Sequence, residues 1–192
     1  MAVTGVVLAA GAGTRMGMPK ALVVRDGVPW VAQACRLLLD AGCDRVVVVL
    51  GASADEARAF VPTDVAVSTI VNDDWPSGMA SSLRAGLSAL TASGAPGDAA
   101  LITLVDTPGL PLEAVRRVLA SGSPLARASF DGRPGHPVLI SSAHWTAVAA
   151  TVSGDQGARA YLDAHGVTDV ECGDLWNGRD EDTPPVDAPL VE

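Results

Sequence analysis

The chain has 192 residues, 48% of them hydrophobic and 18% charged, and 13 Lys and Arg against 22 Asp and Glu leave a formal net charge of −9. That length supports one well-buried domain, and the acidic balance opposes non-specific binding to nucleic acid or to an anionic membrane, each of which needs a basic face. Cys35, Cys43 and Cys172 are widely spaced and form no C-x-x-C pattern, which argues against a disulfide framework or a structural zinc site. No run approaches the about 18 apolar residues of a membrane span, so a cytoplasmic protein with buried thiols is expected.

The first apolar run, Val3–Ala10, reads as a strand buried on both faces. It opens directly into LAAGAGTRMGMPKALV, Leu8 to Val23, where Gly11, Gly13 and Gly17 stand with Arg15 and Lys20. Glycines admit positive φ and close backbone approach, and successive N–H groups then form a concavity for an anion. Two added cations suit a triphosphate. The dinucleotide fingerprint would need glycine at Met16, and the Walker loop would need Lys then Ser or Thr after its last glycine, where Met18 and Pro19 stand. The alternative is a glycine-rich strand-to-helix turn whose cations are merely solvated.

Helical spacing over Trp30–Ala41 precedes a second buried strand, Arg45–Gly51. A helix at Ala54–Phe60, a strand at Val65–Val71, a helix at Met79–Leu90, a strand at Ala99–Val105 and a helix at Leu112–Leu119 follow. This alternation predicts a mostly parallel sheet with helices on both sides, a single-domain three-layer α/β sandwich. From about Ser121 the pattern loosens. Leu125–Phe130, the turn Asp131-Gly132 and His136–Ile140 predict a hairpin or antiparallel edge pair. Helices at Ser141–Thr151 and Gln156–His165, a strand at Thr168–Cys172 and a polar, proline-broken tail at Asn177–Glu192 complete the chain.

In open parallel sheets the ligand lies beyond the carboxyl ends of the strands. Three loops are therefore expected to line one site: the glycine loop, Asn72 to Met79, and Asp106-Thr107-Pro108. Asp106 ends an apolar strand, where a carboxylate is either a helix N-cap for the segment starting near Pro111 or a metal ligand. Gly78 to Ser82 open a helix whose N–H groups suit a base or phosphate, unless Ser77 simply caps it.

Taken in order, these segments resemble the MobA-like nucleotidyltransferases, most closely the molybdenum cofactor cytidylyltransferases. LAAGAGTRMGMPKAL is similar to their L-A-A-G-x-G-x-R-M-G-x-x-K loop, and NDDWPSGMASSLRAGL to N-x-x-W-x-x-G-M-x-x-S-L-x-x-G. GHPVLI at 135–140, GDQGAR at 154–159 and DEDT at 180–183 resemble later family motifs. Val105-Asp106-Thr107-Pro108 stands where the family usually has Gly-Asp-Met-Pro, and Pro184-Pro185-Val186-Asp187 departs from its usual ending.

The resemblance implies a Rossmann-like nucleotidyltransferase fold, with residues 1–120 as the nucleotide half and 121–192 as the acceptor half of the single domain. It implies transfer of a nucleotidyl group from CTP (or GTP) to a phosphorylated small molecule such as molybdopterin, with Mg²⁺ as cofactor and a molybdoenzyme or its chaperone as a further contact. Leu8, Ala9, Ala10, Gly11, Gly13, Arg15, Lys20, Gly78 and Ser82 are implied to bind nucleotide, with Arg15, Lys20 and Asp106 catalytic. Asp106 and Asp182, with Asp180 the less certain choice, are implied to hold the metal, and His136 to face the acceptor. Without the metal, Asp106 and Asp182 are expected to repel one another. His144 and His165 are expected to be structural. Ala10, in place of a glycine in guanylyl members, is expected to favour a pyrimidine. A sugar- or polyol-phosphate cytidylyltransferase and a non-catalytic nucleotide-binding domain are the competing readings.

Overall fold

The structure is a computed structural model that describes residues 1–92 and 97–182. In chain order it contains β1 (Val3–Ala9), β2 (Val24–Arg25), β3 (Val28–Pro29), α1 (Trp30–Ala41), β4 (Arg45–Leu50), α2 (Ala54–Arg58), β5 (Val67–Val71) and α3 (Met79–Ala92). Then come β6 (Ala99–Leu104), α4 (Leu112–Leu119), β7 (Leu125–Phe130), β8 (Arg133–Ser141), α5 (Ser142–Thr151), α6 (Arg159–Ala164) and β9 (Thr168–Glu171). Seven strands form one sheet in the order β5-β4-β1-β6-β8-β7-β9, and β2 and β3 form a separate two-stranded ribbon.

The period-two pleat sorts the apolar runs cleanly. Val3, Val7 and Ala9 of β1, with Val46, Val48 and Leu50 of β4, pack against α1, α2 and α4. Val6, Leu8, Val47 and Val49 point to the other layer, built from α3, α5 and α6. A strand covered by helices on both sides has no solvent face and hence no polar alternation, which is why these segments are apolar throughout. No helix among the described residues is long and apolar enough to cross a membrane, and all three cysteines are buried as free thiols.

Two features depart from expectation. The antiparallel strand, β8, lies inside the sheet between β6 and β7 rather than at its edge. Its apolar second half, Pro137–Ile140, is buried, whereas the actual edge strand, β9, pairs parallel with β7 and carries the largely exposed sequence TDVE. An apolar strand gains by being covered on both sides, and a polar one tolerates the edge. The second departure is the β2–β3 ribbon, folded through Asp26 (φ 50°) and Gly27 (φ 75°). Its signal, Asp-Gly between apolar residues, is present in VVRDGVP.

Candidate active site

β1 and β6 are neighbours in register, Leu8 opposite Leu104, so the loops after them emerge side by side at the carboxyl end of the sheet. There they wall a cavity of about 530 Å³. The glycine loop forms one wall, Trp75, Pro76, Gly78 and Met79 with Ser82 a second, and Val105-Asp106 the floor. The loop's shape depends on Gly13, whose φ is +60°: a Cβ there would sit 1.9 Å from the carbonyl oxygen of Met18. Met16 N–H closes the turn by donating to the Gly13 carbonyl at 2.8 Å. Buried Met16 pins the loop into the core.

Lys20 reaches from a single 3-10 turn, Lys20–Leu22, into the centre of the site. Its Nζ donates to Asp106 Oδ2 at 2.5 Å and to Asp182 Oδ1 at 2.6 Å. Arg15, largely exposed, pairs with Asp182 Oδ2 at 2.7 Å. Burial by itself would lower the pKa of Lys20, but the hydrogen bonds and charges of the two aspartates outweigh it and hold the ammonium above its ordinary value. Asp182 is lowered, chiefly by its bond to Lys20. The expected repulsion between Asp106 and Asp182 is thus corrected: Lys20 bridges the two carboxylates, and with Arg15 on Asp182 two positive charges balance them.

Asp106 does not cap a helix. α4 begins at Leu112 behind Pro111 with no side-chain cap, so the N-cap alternative fails. Ser77 does not cap α3 either, since its hydroxyl donates to the Asp74 carbonyl and carboxylate at 2.8 Å. The first N–H groups of α3 instead go to the 154–155 loop, Met79 N to Asp155 Oδ1 at 3.3 Å and Ala80 N to the Gly154 carbonyl at 2.9 Å. That loop lies so close that a Cβ on Gly78 would meet Gly154 O and Asp155 Oδ1 at 2.7 Å. Ser82 is buried at the cavity wall and accepts from Asn72 Nδ2 at 3.1 Å.

A second cavity of about 290 Å³ adjoins the first, sharing Leu8, Met79, Leu104 and Asp155 as wall. It runs along β8 and is lined by His136, Val138, Gln156, Trp176 and Asp180 among others. Burial pushes the His136 imidazole down to about 4, against the opposing charge of Asp106, so the ring is neutral at pH 7. Arg127 lies in the same wall, but Asp163 at 2.7 Å and Asp169 at 2.6 Å already neutralise it. Tyr161 stacks on His165 and bonds His144 at 2.8 Å, away from both cavities.

Leu8, Ala10, Gly11, Gly13, Arg15, Lys20, Gly78, Ser82 and Asp106 line the first cavity. Asp182 joins them through Lys20 and Arg15, whereas Asp180 and His136 face the second. Ala9 lines neither, because its methyl points to the opposite face of β1, into the core under α1. Thr183 of the DEDT motif and the segment 184–187 lie outside the described residues. Trp75 lines the first cavity, as the Asn72–Met79 loop was expected to, whereas Asp155, Arg127 and Gln156 line the cavities without having been expected there. Asp155 and Gln156 belong to GDQGAR, whose pair of glycines between polar residues, far from any strand, was the available signal.

The residues fit a hard divalent cation. Asp106 Oδ1 is buried and has no hydrogen-bond partner among the described residues, while its other oxygen is held by Lys20. Mg²⁺ and Mn²⁺ take carboxylate oxygens and accept as few as one or two from protein. An orphaned carboxylate oxygen beside a cation-lined phosphate loop is the donor such an ion needs.

A glycine loop bearing two cations, a carboxylate at the end of the adjacent strand and a second cavity abutting the first form a site suited to a phosphate-bearing ligand beside a second small molecule. The chain belongs to the MobA-like NTP transferase family, whose domain model matches residues 5–170. It is 42% identical over 193 residues to nicotine blue oxidoreductase of Paenarthrobacter nicotinovorans, covering 94% of this chain and 92% of that one. It is 34% identical over 132 residues to molybdenum cofactor guanylyltransferase of Rhodobacter capsulatus, covering 68% of this chain and 64% of that one. The crystal structure of Rv0371c from Mycobacterium tuberculosis H37Rv superposes with a TM-score of 0.80 at 26% identity, covering 95% of this chain and 94% of that one.

Proposed function

We propose that the protein transfers a nucleotidyl group from CTP to a phosphorylated small molecule of the molybdopterin type, in a Mg²⁺-dependent reaction that releases pyrophosphate. The observation that carries this reading is Lys20 bridging Asp106 and Asp182 beside the unpartnered Asp106 Oδ1. Binding alone requires no such carboxylate pair, which argues against a non-catalytic nucleotide-binding domain.

In the reaction an acceptor phosphate oxygen forms a bond to the α-phosphorus, the bond from that phosphorus to the β-phosphate oxygen breaks, and pyrophosphate departs with the electron pair. Catalysis of this kind is positioning and charge screening. Arg15 supplies a guanidinium fork for the triphosphate, and Lys20 a point charge that can leave its two aspartates for phosphate oxygens. The loop's N–H groups would receive the same anion, and Trp75 and the α3 end, which line the same cavity, would flank the base. Asp106 and Asp182 would hold the metal, which when bound screens phosphate charge and raises the electrophilicity of phosphorus. Neutral His136 offers the acceptor a hydrogen bond without adding charge to a wall whose two arginines, Arg127 and Arg159, already face acidic side chains.

Ala10 is the residue that favours CTP over GTP in this reading: its methyl stands just past β1 in the wall of the first cavity, where a glycine would leave more room for a purine. The guanylyltransferase relative is the reason to test both nucleotides. Pyrophosphate release is expected only with Mg²⁺ and molybdopterin present, and faster with CTP. Equal release from GTP would reverse the base assignment, and release without metal would sink the metal assignment.

A second reading follows from the 42% identical relative, named an oxidoreductase. It makes no use of the Lys20–Asp106–Asp182 cluster, and the three cysteines, the chain's own redox-active candidates, are buried as free thiols. Burial pushes Cys35 and Cys43 up to about 12. Reduction of nicotine blue by an added reductant in the presence of the protein, with no pyrophosphate release from any NTP, would favour it.

A further inference from the structure

The segment carrying Asp180 and Asp182 is attached to the site through its middle residue. Glu181 N–H donates to the Asp106 carbonyl at 2.8 Å, and its carboxylate receives both terminal nitrogens of Arg25, Nη1 to Oε1 at 2.9 Å and Nη2 to Oε2. The neighbours face the other way: Asp182 meets Lys20 and Arg15, and Asp180 lines the second cavity. This alternation is that of an extended segment, in which anchoring the middle residue aims the two flanking ones. Upstream the same segment is secured by Trp176, edge-on to Phe130 at 5.3 Å.

Arg25 is itself well seated. It belongs to the tight β2–β3 ribbon, and its guanidinium lies 5.7 Å from the ring centroid of Trp30, which is fully buried at the head of α1. A planar guanidinium fixed by a ring and a bidentate carboxylate holds direction as well as distance. Neither Arg25 nor Glu181 lines either cavity, so neither touches substrate directly.

We propose that Arg25 and Glu181 form a clamp that aims Asp182 at the phosphate loop, making Arg25 a positioning residue for metal-dependent transfer; this rests on the metal reading given above. The test is Mn²⁺ affinity in the presence of CTP, read by paramagnetic resonance and calorimetry, alongside turnover, melting temperature and metal-free CTP affinity. Arg25→Met and Glu181→Gln are each expected to weaken Mn²⁺ binding about tenfold or more, the scale of losing a residue that orients a ligand. Metal-free CTP affinity should stay near wild type. The double variant should be no worse than either single one, because the two side chains act as one unit. Wild-type Mn²⁺ affinity in both single variants, or losses that multiply in the double, would overturn the clamp. Asp182→Asn separates the two readings. If it too binds Mn²⁺ like wild type, the metal assignment falls and the clamp with it; if it loses Mn²⁺ while Arg25→Met does not, the clamp alone fails.

Discussion

Lys20 spends its one charge on two carboxylates that lie 86 and 162 positions away in sequence. Removing it leaves two part-buried anions facing each other, and breaking such a network by losing one partner costs about 1–3 kcal/mol. Lys20→Ala is therefore expected to lower the melting temperature as well as turnover, the latter by orders of magnitude. Mg²⁺ should restore part of the lost stability by taking the ammonium's place. Unchanged melting in Lys20→Ala without metal would mean the ion pairs carry no net stabilisation. Gly13→Ala acts by a different route: with φ at +60° and the Met18 carbonyl 1.9 Å from the added carbon, the loop must unwind. Strain of this kind costs roughly 1–3 kcal/mol, and CTP affinity should fall with it. An alanine variant with native affinity would show that the loop is not held in this shape for the nucleotide.

At the scale of elements, the β7–β8 hairpin and the end of β9 are tied by Glu171. Its carboxylate accepts from Ser129 Oγ at 2.8 Å and from the N–H groups of Gly173, Asp131 and Gly132 at 2.8, 3.0 and 3.3 Å. Those bonds, Ser129 foremost and then Gly173, lower its pKa from the ordinary 4.5 to about 2. A carboxylate more acidic in the folded than in the unfolded state adds stability above about 4.5, and that stability is lost as pH falls towards 2. Glu171→Gln should accordingly melt below wild type at pH 6, with the gap closing as pH drops through this window. A gap independent of pH would assign the difference to packing. The turn Asp131-Gly132 was readable in advance, because Asp-Gly between apolar runs specifies a tight hairpin. That β8 inserts between β6 and β7 was not, since strand order depends on which surfaces are left to be covered.

For the whole molecule, the consequence of the topology is two cavities with a common wall at the sheet's carboxyl end. His136 faces one and the glycine loop the other. His136→Ala is expected to raise the acceptor's apparent KM several-fold and leave CTP affinity near normal, measured by initial rates with each substrate varied; a selective loss of CTP binding would contradict the division. His136 also affects acid stability. Its folded pKa of about 4 lies below the ordinary 6.5, so protonation favours the unfolded chain and stability falls as pH drops from 6.5 to 4. Denaturant melts should show that slope flattened in His136→Gln, and an undiminished slope would point to other groups.

The apolar runs Val3–Ala9, Arg45–Leu50 and Ala99–Leu104 determined by themselves that these strands would pair in parallel and be covered on both sides, because continuous apolar, β-branched-rich sequence between helical segments is best buried that way. The glycine loop and Asp106 were equally legible, since the strand-end rule places them together once the strands are parallel. Tertiary structure alone decided the rest. It turned Ala9 away from the cavity, seated Lys20 between two aspartates expected to repel, and joined Arg25 to Glu181 across 156 positions. The physical reason is range: periodicity and turn chemistry act over a few residues, whereas which charge meets which across a cleft is set only when distant segments pack onto the same sheet.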